Sequence, residues 1–153
     1  MNWLDDSARE RNRREAHSKE IYQRGHEVFE SFWKDVTRWI EEAKTKGHII
    51  YTNGTTDSRT VKLDFPPPNV QSILLSKEMR ISITEDRSAI SVLFPDREGE
   101  IIFVFDICDD GVICMKHENK KIYSNDAAIL ILRRFIFPEQ HGIKRESRPY
   151  PTQ

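Results

Sequence analysis

Hydrophobic residues recur three or four positions apart between residues 21 and 43, the spacing that places side chains on one face of an α-helix. Charged residues fill the positions between them and would occupy the opposite face. The pattern predicts an amphipathic helix whose broad, aromatic-rich face packs against the rest of the protein. Its apolar positions are Ile21, Tyr22, Val28, Phe29, Phe32, Trp33, Val36, Trp39, Ile40 and Ala43.

The first twenty residues keep a helical composition but lack this apolar stripe. Ser7, followed three residues later by Glu10, matches a capping box, so we expect the helix to begin there and to end at Lys46-Gly47. Such a helix would be about 60 Å long, more than the diameter of a domain this small. The arm, residues 1–20, would therefore project, fray or pack on a partner. Gly25 marks a place for a kink or for the close approach of another segment.

After Gly47 the hydrophobic period changes from about 3.6 to 2, which predicts β-strands. Ile49 and Tyr51 indicate one early strand, and a connection too long for a two-residue hairpin separates it from the next. That second strand is indicated by Val61, Leu63 and Phe65, and prolines 66–68 end it. Residues 69–77 fit either a short helix or an irregular strand.

The clearest strand signal lies between residues 79 and 115, where four alternating segments are separated by turns. One antiparallel register sets apolar residues against one another, and a one-residue slip would turn them to the wrong face. The predicted pairs are Met79 with Phe94, Ile81 with Val92, Ile83 with Ile90, Phe94 with Ile101, Val92 with Phe103, Ile90 with Phe105, Phe105 with Met115 and Ile107 with Ile113. We expect a four-stranded meander with residues 21–43 lying across its core face.

The opposite face of the meander mixes polar residues with Ile102, Val104, Val112 and both cysteines, and a half-apolar face calls for cover. The expected cover is a last helix at residues 127–136, which is apolar nearly all round, although residues 129–137 also fit a strand. Ser124 or Asn125 would cap it and Pro138 would end it.

Together these elements predict an α+β protein. A long N-terminal helix packs on an antiparallel sheet, made of the four-stranded meander plus one or two preceding strands, with a C-terminal helix. The predicted division is a charged helical arm at residues 1–20, a single α+β domain at residues 21–138 and a flexible tail at residues 139–153.

Charge and composition narrow the functional classes. The 153 residues include 24 Lys and Arg against 25 Asp and Glu, so net charge gives no argument for a nucleic-acid partner. No apolar run approaches the ~18 residues of a membrane span, and the N-terminus lacks the apolar region of a signal peptide. We expect a cytoplasmic protein with no cofactor and no membrane partner.

Candidate chemistry is sparse. Cys108 and His117 would face opposite sides of the sheet, too far apart for a nucleophile and its base. Cys108 and Cys114 share a face but lack the paired spacing of a zinc site, so we expect packed free thiols. The five scattered histidines and the glycines form no metal-binding or phosphate-binding motif, and we assign no catalytic residue.

Three functional hypotheses remain open. The first is a non-enzymatic protein-interaction or regulatory module, self-associating or binding another protein through Arg9, Arg13, Ile102, Val104 and Val112. The second is a small-molecule binder with a cavity between helix and sheet beside Phe29, Trp33 and Trp39. The third is a small enzyme with no recognisable motif.

Overall fold

The computed structural model describes residues 2–64, 77–95 and 99–137. Its elements are α1 (Trp3–Thr45), β1 (Ile49–Gly54), β2 (Ser58–Asp64), β3 (Lys77–Ile83), β4 (Ala89–Leu93), β5 (Glu100–Ile107), β6 (Ile113–His117), β7 (Lys120–Ile122) and α2 (Ser124–Ile136). The seven strands form one antiparallel sheet in the order β1 to β7, so each strand pairs with its neighbour in sequence. The α+β class is confirmed, with more strands than expected. The alternatives for residues 69–76 and the predicted tail at residues 139–153 lie outside the described residues.

Helix α1 is one continuous element of 43 residues, about 65 Å long. It begins at Trp3, before the predicted start at Ser7. The Asn2 side chain accepts a hydrogen bond from the Asp5 amide at 2.9 Å and so takes the capping role assigned to Ser7. Gly47, with a φ of 100°, follows the C-terminal end as expected.

The core lies between one face of the sheet and the apolar stripe of α1. The buried residues of α1 are Ile21, Gly25, Phe29, Phe32, Val36 and Ile40. The rings of Phe32 and Phe103 lie 5.6 Å apart and join α1 to the middle of β5. The prediction that residues 21–43 cross the core face of the sheet is confirmed, although Tyr22 is 48% exposed.

The predicted register is correct on both sides of the meander and wrong in its centre. Ile81 pairs with Val92, and Phe105 pairs with Met115, as expected. Between β4 and β5, however, Val92 pairs with Ile101 rather than with Phe103. The error is two residues, and because side chains alternate with a period of two, both registers bury the same residues. Hydrophobic alternation alone therefore cannot choose between them.

The first hairpin also differs from the prediction. Ile50 lies opposite Leu63, and both are buried because cross-strand partners in an antiparallel pair point to the same face. Tyr51, the next residue, points to the other face and is 57% exposed. The Thr55 amide donates to the carbonyl of Ser58 at 2.7 Å, so only two residues make the turn. The expectation of a longer connection is therefore wrong.

Strand β7 is absent from the prediction. It follows β6 through a turn at Glu118 and Asn119, whose φ values of 54° and 68° are both left-handed. Two-residue hairpins of this kind usually carry Asn-Gly or Asp-Gly, and Glu at the first position hides the signal.

Helix α2 packs beside α1 on the core face of the sheet, not across the outer face as predicted. Its residues Ala127, Ala128, Ile131, Leu132 and Phe135 join the same hydrophobic core as α1. The expected caps are also wrong, since Tyr123 precedes the helix and makes no side-chain capping bond. The Ser124 hydroxyl instead donates to Asp35 at 2.6 Å, tying α2 to α1.

Gly25 allows the turn between β3 and β4 to approach α1 closely, which is one of the two roles expected of it. A Cβ atom at this position would run into the backbone carbonyl of Arg87 and lie 3.3 Å from the Phe105 ring. Arg87 also places its guanidinium 4.9 Å from the centre of the Tyr22 ring. The absence of a side chain at Gly25 therefore fixes where the sheet meets the helix.

Candidate functional site

The arm is a surface without a share in the core. Among residues 2–20 the structure exposes every side chain except Glu10 and Glu20, which are half-buried. Glu10 forms ion pairs with Arg13 and, at 3.2 Å, with Arg14. Such exposed pairs, three and four residues apart, add only a few tenths of a kcal/mol each. Nearer the core, His17 of the arm lies 3.7 Å from Asp106 of β5, and Arg9 and Arg13 precede this contact along the helix.

The outer face of the sheet is a second exposed surface. Ile102 is 43% exposed and Val104 is 49% exposed on β5, and Leu93 on β4 is 43% exposed. Val112, 54% exposed, lies in the turn between β5 and β6 rather than within a strand. This face is uncovered because both helices lie on the other side of the sheet. The five proposed interface residues therefore form two groups. Arg9 and Arg13 lie on the arm, and Ile102, Val104 and Val112 lie on the outer side of the sheet.

Cys108 and Cys114 form a disulfide, so the expectation of free thiols is wrong. Cys114 lies opposite Asp106, and the Cys108 amide donates to the carbonyl of Val112 at 2.9 Å. The two cysteines are therefore diagonal neighbours on one face, with a Cα–Cα distance of 6.3 Å that a disulfide can span. The predicted register already contained this proximity.

The turn enclosed by the disulfide is held to α1. An Arg24 guanidinium nitrogen donates to the Gly111 carbonyl at 2.8 Å and also contacts Glu20 at 2.8 Å. This contact fixes the end of the β5–β6 hairpin beside the start of the buried part of α1.

Phe29 and Trp33 contact Arg59 on β2, a residue that the sequence analysis did not single out. Its guanidinium carbon lies 5.8 Å from the Phe29 ring centre and 5.2 Å from that of Trp33. A guanidinium nitrogen of Arg59 also donates to Glu30 at 2.8 Å. Phe29 is fully buried, so this region is a packed cation–π cluster. A lone Arg between Ser58 and Thr60 gives no sequence signal for such packing.

Trp39 lies apart from Phe29 and Trp33, at the contact between α1 and α2. Its indole N–H donates to Asn125 Oδ1 at 2.8 Å, and Arg38 donates to the same oxygen. An open groove of about 560 Å³ begins at Trp39 and runs between the C-terminal parts of the two helices. The other residues that line it are Glu42, Ala43, Lys46, His48, Ile129, Leu132, Arg133, Ile136 and Phe137.

Among the described residues, two carboxyl groups have lowered pKa values. Hydrogen bonds from the Ser88 and Thr84 side chains and the Ser88 amide lower the pKa of Asp86. The pKa of Asp106 is lowered chiefly by the hydrogen bond from Lys116, at 2.8 Å, with a further contribution from the Ile107 amide. Asp86 and Asp106 line separate clefts and remain charged at neutral pH, where a general base needs a higher pKa.

Comparison with protein-family models, with curated proteins and with solved structures found no match. Within residues 2–64, 77–95 and 99–137, neither helix combines the length and the hydropathy required to cross a bilayer. The structural class of the protein is thus given by its fold alone: a seven-stranded antiparallel meander with two helices on one face. The described residues present two exposed surfaces, the arm and the outer sheet face, and one groove at Trp39.

Proposed function

We propose that this protein is a non-enzymatic protein-interaction or regulatory module that binds its partner through the arm and the outer sheet face. The observation that carries the proposal is the length of α1. Its buried positions begin at Ile21, so about five turns of helix precede the core without contributing to it. A polar helical segment of this length has marginal stability by itself in water. Binding to a partner would stabilise it and explain its presence.

The outer face of the sheet supports the same function. Ile102, Val104 and Leu93 place branched apolar side chains in water on two neighbouring strands, among Ser91 and Arg80. A small apolar area with polar neighbours is the usual composition of a non-obligate protein interface. Since both helices occupy the other side, a partner could reach this surface without any rearrangement of the fold.

Site-specific photo-crosslinking tests the proposal. A crosslinking amino acid replaces Arg13 on the arm, Val104 on the sheet or, as a control, Glu41 on the exposed side of the buried part of α1. We expect defined protein adducts in the native host from position 13 or 104, and none from position 41. An absence of adducts from both test positions, or equal adducts from all three, would reject an interface at these surfaces.

The groove at Trp39 favours a second candidate, a small-molecule binding protein. Its volume of about 560 Å³ lies in the range of ligand sites, and its lining is largely apolar. The site differs from the expected cavity, since Phe29 and Trp33 do not line it. Screening by indole fluorescence tests this candidate: a ligand should change the emission of the wild type and leave a Trp39→Phe variant unchanged.

Enzymatic activity remains the third hypothesis, with no residue assigned to it. The cytoplasmic location stays a prediction, as does the absence of a nucleic-acid partner. Disulfides are commoner in oxidising compartments than in the cytoplasm. Thiol trapping measures the redox state of Cys108 and Cys114 in cells, and an oxidised pair would argue against the predicted location.

A further inference from the structure

The sheet has two edges, β1 and β7, and they differ in the features that prevent edge pairing. Strand β7 has only three residues, of which Lys120 and Lys121 are charged, and short lysine-bearing edges resist the addition of another strand. Strand β1 has six residues, Ile-Ile-Tyr-Thr-Asn-Gly, with no charge and no proline. Among the described residues no strand lies on its outer side. Within the described residues, one edge of the sheet is therefore protected and the other is open.

The hairpin geometry shows which backbone groups of β1 face outward. In an antiparallel pair, residues that exchange hydrogen bonds alternate with residues whose N–H and C=O point away from the partner strand. Thr55 and Ser58 are hydrogen-bonded, so Asn53 and Tyr51 also direct their backbone groups toward β2. Ile50, Thr52 and Gly54 direct theirs to the open edge. The Gly54 amide is already bonded to the Asn53 side chain at 2.7 Å, but its carbonyl faces outward.

We propose that a second copy of this chain pairs with β1, antiparallel, to form a continuous fourteen-stranded sheet. A two-fold axis at Thr52 sets this residue opposite its own copy, and sets Ile50 opposite Gly54 of the second chain. The two Thr52 residues then exchange two hydrogen bonds, and each Ile50 amide donates to a Gly54 carbonyl. On the outer face, Tyr51 of each chain lies opposite Asn53 of the other.

A second copy is the occupant that the chemistry of β1 favours. Like charges placed directly opposite destabilise a strand pair, and an uncharged strand can pair with itself without that penalty. The protected β7 edge then limits growth, because the described part of each chain offers only one open edge and the assembly closes as a dimer. Two open edges would instead produce a fibre.

This inference rests on the proposed interaction function, since it names a second copy as one partner, but it uses a different surface. The test therefore compares β1 variants with arm variants. Thr52→Lys and Thr52→Glu each place like charges at the two-fold axis. Thr52→Val keeps the outward N–H and is the matched control. Thr52→Pro removes that N–H without removing a bond to β2, and an Arg9→Glu/Arg13→Glu variant alters the arm alone.

Sedimentation equilibrium from about 1 µM to about 1 mM measures the dimer. We expect the wild type, Thr52→Val and the arm variant to dimerise with equal affinity, and Thr52→Pro to be monomeric with native circular dichroism. Thr52→Lys and Thr52→Glu should each dimerise about fivefold more weakly, and their equimolar mixture should regain the lost affinity as a heterodimer.

Three outcomes would overturn the inference: a monomeric wild type throughout the range, a dimeric Thr52→Pro variant, or a Lys/Glu mixture no tighter than either variant alone. A dimer lost only in the arm variant would also overturn it while supporting an interface on the arm. Crosslinking from position 13 or 104 in a protein that stays monomeric would leave the proposed function standing and remove this dimer.

Discussion

At the scale of single residues, Gly25 shows how local preference and tertiary contact can oppose each other. Inside a helix, alanine is favoured over glycine by about 1 kcal/mol. At position 25 an alanine does not fit, because the backbone carbonyl of Arg87 in the β3–β4 turn occupies the place of its Cβ atom. A backbone group cannot move aside as the end of a flexible side chain can.

We therefore expect Gly25→Ala to lower the free energy of unfolding by about 1–3 kcal/mol, the usual cost of overpacking. Urea denaturation followed by circular dichroism measures the change. Ser31→Ala, on the exposed face of the same helix, is the control and should be neutral or slightly stabilising. A stabilised Gly25→Ala variant would mean that the turn does not lie against α1.

Asp86 gives a second prediction at this scale, on pH. Its pKa in the folded protein is lowered below the ordinary value of 3.8 by hydrogen bonds from Ser88 and Thr84. A lowered carboxyl pKa contributes stability above the unfolded value, and this stability is lost as the pH falls through the folded pKa.

The Asp86 carboxyl carbon should accordingly titrate below 3.8 in an NMR experiment. Stability should also fall less steeply in an Asp86→Asn variant than in the wild type as the pH is lowered from about 5. Asp106 contributes in the same direction in both proteins and cancels in the comparison. Identical pH profiles for the two proteins would mean that the hydrogen bonds from Ser88 and Thr84 do not stabilise the charged Asp86 carboxylate.

At the scale of elements, the sequence predicts those features that depend on periodicity. The apolar stripe of α1 and the buried positions of β3 to β6 follow from spacing alone. The register of β4 against β5 does not, because a two-residue shift leaves every face unchanged. The location of α2 does not either, since an all-round apolar helix fits any sheltered surface. Ser124 and Asn125 have the residue types of helix caps, but their side chains form hydrogen bonds with α1 instead. The sequence near them does not show this, because their partners lie almost ninety residues away.

Only one of the two candidate surfaces was predictable for the same reason. Residues 2–20 lack an apolar stripe, so the exposure of Arg13 follows from the pattern. The exposure of Val104 does not follow, because the sequence predicted that the last helix would cover this face of the sheet. The groove at Trp39 lies between α1 and α2, so predicting it requires the position of α2. The sequence did not predict that position and therefore did not predict the groove.

The β5–β6 hairpin provides a prediction for an element. The Cys108–Cys114 disulfide closes a short loop, for which chain entropy predicts a stabilisation of about 2 kcal/mol. Adding a reductant should lower the urea midpoint of the wild type, and a Cys108→Ser/Cys114→Ser variant should match the reduced protein and ignore the reductant. Equal midpoints with and without reductant would show that the bond adds no stability.

At the scale of the whole molecule, the sheet is covered on one side. Both helices pack on the inner face, and the outer face of β4 and β5 remains open among the described residues. Two valines near the centre of the sheet, Val92 and Val104, therefore have opposite surroundings. The first is fully buried and the second is half-exposed.

Replacing each valine by threonine measures this difference without changing side-chain shape. Val92→Thr should destabilise the protein by about 1–3 kcal/mol, because a hydroxyl enters the apolar core. Val104→Thr should change stability by no more than about 0.5 kcal/mol. Equal losses at the two positions would mean that another segment covers the outer face in solution.

The order of the strands also bears on how the chain folds. Each strand pairs with the next, so the sheet has low contact order and can form hairpin by hairpin during synthesis. Helix α1 leaves the ribosome first, but the strands and the second helix that bury its aromatic face are made after it. Its apolar stripe is therefore exposed on the nascent chain until the strands and α2 have been made. Chaperone binding and aggregation of incomplete chains should concentrate on residues 21–43.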